Sequence, residues 1–278
     1  MLHREAILER LLRVVKESAA SRSFFIITQA TSFFSWYITA TCVQFLTFSG
    51  GAVDTKQFRR PIRSFVRREG RMTPRQERAL NSAWPRFGVQ PEELSDLSKV
   101  FSRSNPVTLE IGFGMGEGLL AMAKEHSETN FLGIEVHRPG VGSLLAGAEA
   151  AGINNLKVCT HDVVELFEQR LLTASLNKVM IFFPDPWPKK KHHKRRLLNG
   201  RVIRLLHDKV VPGGVVHIAT DWQHYAQDIK HQFAEVNLFS LQQEIVDLPA
   251  MNPYRKQTKF ERRGKRLGHR ITDLLYLR

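Results

Sequence analysis

The chain has 278 residues, 42% of them apolar, which is enough for a sizeable core, and it carries a formal net charge of +14. Such a cation excess favours polyanionic partners, nucleic acid first and an anionic membrane surface second. Only Cys42 and Cys159 are present, so a disulfide framework and a CxxC metal pattern are both excluded; a reducing compartment fits and neither thiol has a nucleophile's setting.

Residues 1–53 differ in character from the rest. They contribute five basic and three acidic residues, so +12 remains with the part from Asp54 onward. Ile7, Leu8, Leu11, Leu12 and Val15 have helical spacing. Residues 23–53 contain no Asp, Glu, Lys or Arg. That run has the length of a membrane span, ~20 residues, but Thr, Ser and Gln interrupt it. The reading is an N-terminal extension, poorly ordered or non-native, with no stable membrane partner. Residues 54–104 read as a basic arm and an N-terminal helix, and residues 105–278 as the main domain. In the arm, Arg59, Arg60, Arg63, Arg67, Arg68 and Arg71 surround Ile62, Phe65 and Val66, a pattern suited to gripping phosphates or to a solvated linker. Thr73-Pro74-Arg75-Gln76 is a capping box with proline at the first helical position, which predicts a helix over 74–84. A mixed connector follows over 87–104.

From Val107 strand and helix signals alternate. Strands are predicted over 107–111, 130–136, 156–160, 178–183 and 215–220. Helices are predicted over 117–125, 141–151, 163–172, 194–209 and 222–236, and two more strands over 239–245 and 271–277. Such alternation argues an α/β fold, a mostly parallel seven-stranded sheet with helices on both faces.

Ligands of open α/β sheets bind beyond the carboxyl ends of the strands. The first strand ends in Leu109-Glu110-Ile111-Gly112-Phe113-Gly114-Met115-Gly116. An acid followed by GxGxG fails the dinucleotide fingerprint GxGxxG, and no GK[ST] follows, so a P-loop is excluded. A dinucleotide needs a helix N-terminus clear of acid for its pyrophosphate. S-adenosyl-L-methionine has no phosphate; it offers an ammonium, a sulfonium and ribose hydroxyls, which carboxylates serve. Glu110 is placed to hold the methionine end, Glu135 the ribose and Asp162 the adenine amino group. Gly112, Gly114 and Gly116 let the backbone approach the ligand. Val211-Pro212-Gly213-Gly214 reads as a tight turn feeding the fifth strand.

The fourth strand runs into Phe182-Phe183-Pro184-Asp185-Pro186-Trp187-Pro188-Lys189. The prolines fix the backbone and push Asp185 out, and Trp187 offers a stacking face. The loop resembles the Asp/Asn-Pro-Pro-Tyr/Trp loop of amino-methylating enzymes without matching it. Next comes Lys189-Lys190-Lys191-His192-His193-Lys194-Arg195-Arg196, in which six of eight residues are Lys or Arg. Beside such a loop it reads as an RNA phosphate contact, and the cations argue against metal at the two histidines.

These segments together resemble the bacterial tRNA (guanine-N7-)-methyltransferase family of Rossmann-like class I methyltransferases. The resemblance rests on IRSFVRREGRMT (62–73), LEIGFGMG (109–116), FLGIEVHRPGVG (131–142), FFPDPWPKKKHHKRR (182–196), GGVVHIATDW (213–222) and TKFERRGKRLGH (258–269). It implies a tRNA methyltransferase that forms 7-methylguanosine in the variable loop; a cytoplasmic location and a monomeric state are expected beside it, although the sequence alone does not give the oligomeric state. It implies cofactor contacts at Glu110, Glu135, Asp162 and Asp185, with Asp185 also catalytic. Substrate contacts are implied at Lys189, Asp221, Thr258, Lys259, Phe260 and Glu261, and RNA contacts at Lys191, His192, His193, Lys194, Arg195 and Arg196. Pro188 and the long N-terminal extension depart from the family pattern. An amino-methyltransferase and a non-catalytic, cofactor-binding RNA chaperone remain alternative readings of the residues.

Overall fold

The computed structural model describes residues 70–249 and 255–278. The expectations for the extension and for most of the basic arm lie outside the described residues.

Thr73 caps the first helix, α1 (Pro74–Ser82), as its sequence predicts: its Oγ1 accepts from Gln76 N at 3.3 Å and Gln76 Oε1 accepts from Thr73 N at 2.8 Å. The helix closes at Ala83, because Pro85 has no N–H to continue it, and a short α2 (Trp84–Phe87) begins there. The expected connector holds a 3-10 turn (Pro91–Ser95) and α3 (Leu97–Phe101). Asp96 caps α3 by accepting from Lys99 N.

Then come β1 (Val107–Ile111), α4 (Glu117–Glu125), β2 (Asn130–Ile134), α5 (Arg138–Ala151), β3 (Leu156–Cys159), α6 (Val163–Gln169) and β4 (Leu176–Phe182). They are followed by α7 (Gly200–Lys209), β5 (Val210–Thr220), α8 (Gln223–Val236), β6 (Ser240–Val246), α9 (Lys259–Arg266) and β7 (Thr272–Leu277). The seven strands form one sheet in the order β3-β2-β1-β4-β5-β7-β6. Pairs among β1 to β5 are parallel, whereas β7 pairs antiparallel with both β5 and β6. Only β7 therefore runs against the others.

The central strands are buried on both faces, as parallel sheets require, and the two-residue strand period sorts their side chains. Leu109, Leu132, Val179 and Ile218 join one apolar cluster with Phe101, Phe167, Ile203 and Ile229 from α3, α6, α7 and α8. Phe131, Met180, Phe182 and Ala219 point the other way and pack with Ala79, Leu119 and Leu145 from α1, α4 and α5. Helices thus cover both faces.

Two expectations are corrected and one helix is added. The predicted helix over 194–209 is a 3-10 turn (Lys190–Arg195) followed by α7, because Asn199 takes the cap, accepting from Arg201 N and Val202 N. Extending a helix back through the cations would also stack like charges at its N-terminus, where the helix dipole opposes them. Val211-Pro212-Gly213-Gly214 is a bulge inside β5: Leu176 pairs with Val210 and Lys178 with Val215. Gly213 takes φ 77°, which a side chain would strain. Finally α9 had no apolar stripe to betray it; Thr258 Oγ1 caps it by accepting from Glu261 N at 3.0 Å.

Candidate functional site

The strand order reverses between β1 and β4, the place where open α/β sheets hold ligands. A cleft opens there with two adjoining lobes of about 560 and 360 Å³. Gly112, Gly114, His137, Phe182, Phe183 and Phe260 line both. A wider groove of about 740 Å³ between α1 and α5, lined by Arg75, Arg78 and Glu149, lies apart from the strand ends.

The β1 loop folds because Gly112, Gly114 and Gly116 take φ of 74°, 59° and 77°. Gly140, in the first turn of α5, packs so close that a Cβ would stand 1.9 Å from Gly114 O. The loop and α5 can meet only with glycine there.

The structure gathers the expected acids around this cleft, each in a distinct setting. Glu110 on β1 lines the smaller lobe and is 4% exposed. Its Oε2 is buried with no hydrogen-bond partner among the described residues. Burial first, and the charge of Glu135 second, push its carboxyl up to about 8. Glu135 follows β2 and is held by three backbone N–H groups. Gly114 N donates to Oε2 at 2.9 Å, and Val136 N and His137 N donate to Oε1 at 2.7 and 2.9 Å. A carboxylate accepts about four hydrogen bonds, so Glu135 keeps room for one more partner on a fixed oxygen. Asp162 caps α6 through Oδ1, which accepts from Val164 N at 2.9 Å; its neighbours His161 and Val163 line the larger lobe. Asp185 is exposed at the mouth of that lobe, with Trp187 beside it.

The loop that carries Asp185 is stiff. Phe183 and Trp187 bracket it in left-handed conformations, φ 54° and 44°, and Phe183 N donates to Ala219 O at 2.7 Å. Trp187 meets the His192 ring edge-on at 5.9 Å, and the Arg195 guanidinium lies 5.0 Å from its centroid. Lys189, Lys191 and Lys194 are exposed around them. Desolvation, then the cations on both sides, push the His192 imidazole down. Arg196 departs from the expectation for this strip. It is 3% exposed, and its guanidinium is turned inward to Asp228, which accepts at 2.7 Å, and to Pro186 O, which accepts at 2.9 Å.

The remaining expected residues divide. Lys259 and Phe260 sit in the cleft wall, Phe260 being 55% exposed. Asp221 is half-buried beside Gly264 of α9, with His269 Nδ1 3.1 Å from its Oδ2. Glu261 is 1% exposed and pairs with Arg255 and Lys265. Sequence reasoning missed Arg255. Its side chain is fully buried, its fork donates to both Asp273 oxygens at 2.6 and 2.9 Å, and it lies 5.6 Å from the Phe182 and Phe183 ring centroids. His217 Nε2 joins the same Asp273 at 2.8 Å. An isolated arginine in a polar stretch gives no signal of this kind. Cys159 is buried, which pushes its thiol up to about 11, as an inert cysteine requires. Among the described residues no group of three His, Cys, Asp or Glu side chains is arranged for a metal, and no helix is long and apolar enough to cross a membrane.

A seven-stranded sheet with one reversed strand, a Gly-rich loop after β1 and acids at the ends of β1, β2 and β4 defines a class I, Rossmann-like methyltransferase. Residues 104–274 match the family model described as "Putative methyltransferase". The tRNA (guanine-N(7)-)-methyltransferase of Sodalis glossinidius (strain morsitans) is 50% identical over 222 residues, 78% of this chain and 91% of its own. Those of Halorhodospira halophila (strain DSM 244 / SL1) and Aliivibrio fischeri (strain MJ11) are 50% and 47% identical, over 78% and 79% of this chain and 95% and 92% of their own. The chain belongs to the tRNA (guanine-N(7)-)-methyltransferase family. Among solved structures, the 16S rRNA methyltransferase KamB aligns with a TM-score of 0.48 and 14% identity, over 65% of this chain and 92% of that one.

Proposed function

We propose that this chain transfers a methyl group from S-adenosyl-L-methionine to N7 of a guanine in tRNA, giving 7-methylguanosine and S-adenosylhomocysteine. The observation that carries the reading is Glu110, a carboxyl buried in the smaller lobe with Oε2 unpartnered among the described residues. A buried acid without a counter-charge is costly, and an ammonium group of the donor is the partner it lacks. The residues present fit that donor. Glu110 would take the methionine end, Glu135 the ribose hydroxyls through its remaining acceptor site, and Asp162 the adenine amino group from its uncapped oxygen. Bound S-adenosyl-L-methionine would supply an electrophilic methyl group.

Guanine N7 has an in-plane lone pair and no proton, so its methylation requires no general base. The protein's work is orientation and charge. Asp185 would orient the guanine edge and offset the positive charge that develops on the ring. Trp187 offers a stacking face beside it. Lys189 would grip the adjacent phosphate, and Lys191, His192, His193, Lys194 and Arg195 the backbone beyond. Lys259 and Phe260 would close the cleft over the base. Thr258, which lines the smaller lobe and caps α9, would help shape that wall, while Asp221 and Glu261 would act from behind through His269 and through Arg255 and Lys265. A cytoplasmic location follows from the substrate.

The test is nucleoside analysis after incubation of the protein with labelled methyl donor and unmodified tRNA. Label in 7-methylguanosine is expected, and mapping the modified guanine checks the variable loop. Label in a methylated adenine, or none, would overturn the reading. In the Asp185→Ala variant transfer is expected to vanish while the thermal unfolding curve stays that of the parent; near-normal turnover would remove Asp185 from its role.

A further inference from the structure

The Asp185 loop poses a problem of attachment. Pro184, Pro186 and Pro188 have no N–H, so three of the five residues from 184 to 188 cannot donate to any neighbour. Phe183 and Trp187, at φ 54° and 44°, hold conformations that a non-glycine residue adopts only at a cost of about 1 kcal/mol or more each. Such a loop keeps its shape only if something outside it over-determines that shape. On the strand side Phe183 N supplies the bond to Ala219 O. On the far side the loop is tied through a carbonyl: Pro186 O accepts from Arg196 Nε at 2.9 Å.

Arg196 is built to hold that bond. Its side chain is 2% exposed, its Nη1 donates to Asp228 Oδ2 on α8 at 2.7 Å, and its guanidinium lies 4.7 Å from the Tyr225 ring centroid. Tyr225 is fully buried, which pushes its phenol up and keeps the ring neutral. The next residue back faces the loop from the other side: the Arg195 guanidinium lies over Trp187. Two consecutive arginines therefore clamp one loop, one from within and one from solvent. Arginine's rigid fork serves two acceptors at once, which a lysine ammonium on a flexible stem does not reproduce.

We infer that Arg196 is a positioning residue: with Asp228 as its anchor it holds the Pro184–Pro188 loop and so fixes where Asp185 meets the substrate. The inference rests on the proposed guanine methylation. It takes Arg196 out of the phosphate-binding strip in which its sequence neighbours lie.

The experiment measures kcat, the KM for tRNA, and the salt dependence of that KM, for the wild type, Arg196→Lys, Asp228→Asn and the pair together. For Arg196→Lys, kcat is expected to fall by about 100-fold, the scale of a 1 Å misplacement, with KM and its salt slope unchanged. Asp228→Asn is expected to lower kcat in the same direction but less, and the double variant to be no worse than Arg196→Lys alone. A raised KM with a shallower salt slope and an unchanged kcat would make Arg196 a phosphate contact and overturn the inference. Should Arg196→Lys fail to fold, Asp228→Asn carries the test, because it loosens the anchor without touching the loop; wild-type kcat in that variant also overturns the inference. Wild-type protein that makes no 7-methylguanosine would sink the underlying reading instead, so the two failures are distinguishable.

Discussion

Two charged regions of this molecule use the same residue types in opposite ways. The turn at 189–195 displays Lys189, Lys191 and Lys194 to solvent, with no acid within the run. Behind the cleft, Arg255, Asp273, Glu261 and His217 are almost wholly buried and paired with one another. In water the attraction between charges is weak and open to outside partners. In the interior each charge must be matched within hydrogen-bond distance or it destabilises the fold. The first region is thus free to meet a polyanion, while the second ties β5, β7 and α9 together under the Phe182 and Phe183 rings.

Breaking the buried set should have the largest effect. Arg255→Ala would leave Asp273 and Glu261 buried beside an empty space, and a loss of about 3–5 kcal/mol is expected, read by urea unfolding. A change below ~1 kcal/mol would mean that the cluster is wetter than its burial indicates.

Glu110 sharpens the contrast, being buried like the second region yet unpartnered at Oε2 among the described residues. Its carboxyl is raised from 4.5 to about 8, so the folded state holds a proton that the unfolded chain releases. Its contribution is complete below about 4.5 and is lost as pH rises to about 8. Glu110→Gln should therefore gain on the donor-free wild type across that interval, by at most ~1.4 kcal/mol per pH unit, and level off above it. Thermal melts over pH read this directly, and added S-adenosyl-L-methionine should narrow the gap. A gap that does not vary with pH would show Glu110 to be paired.

Lys191→Ala should have the smallest effect on the fold, within about 0.5 kcal/mol. Its signature is electrostatic: the slope of log affinity for tRNA against log salt should become shallower by roughly 0.7–0.9. An unchanged slope would detach Lys191 from the phosphates.

Much of the architecture was legible before any coordinates. Every central strand begins within two residues of its predicted start except β5, whose bulge at Gly213 lets it begin at Val210. Continuous apolar runs mark buried parallel strands, and Thr73-Pro74-Arg75-Gln76 marked a helix start that forms as read. The strand-end acids were legible because a strand's last residue is a fixed place in an α/β sheet. The misses have a common cause. Arg196 and α9 lie in charge-rich text, where periodicity gives no apolar stripe and a cation facing a phosphate looks the same as one facing a buried carbonyl.

The sequence by itself determined the order of strands and helices, the glycines that let the β1 loop turn, the acids at the strand ends and the placing of a cationic run beside Asp185. These are local properties, set by propensity, periodicity and spacing along the chain. Only the tertiary structure decided which charges face inward. Asp228 is 32 residues from Arg196 and Asp273 is 18 from Arg255. Partners so far apart meet only when the sheet closes and α8, α9 and β7 come to rest beside the cleft.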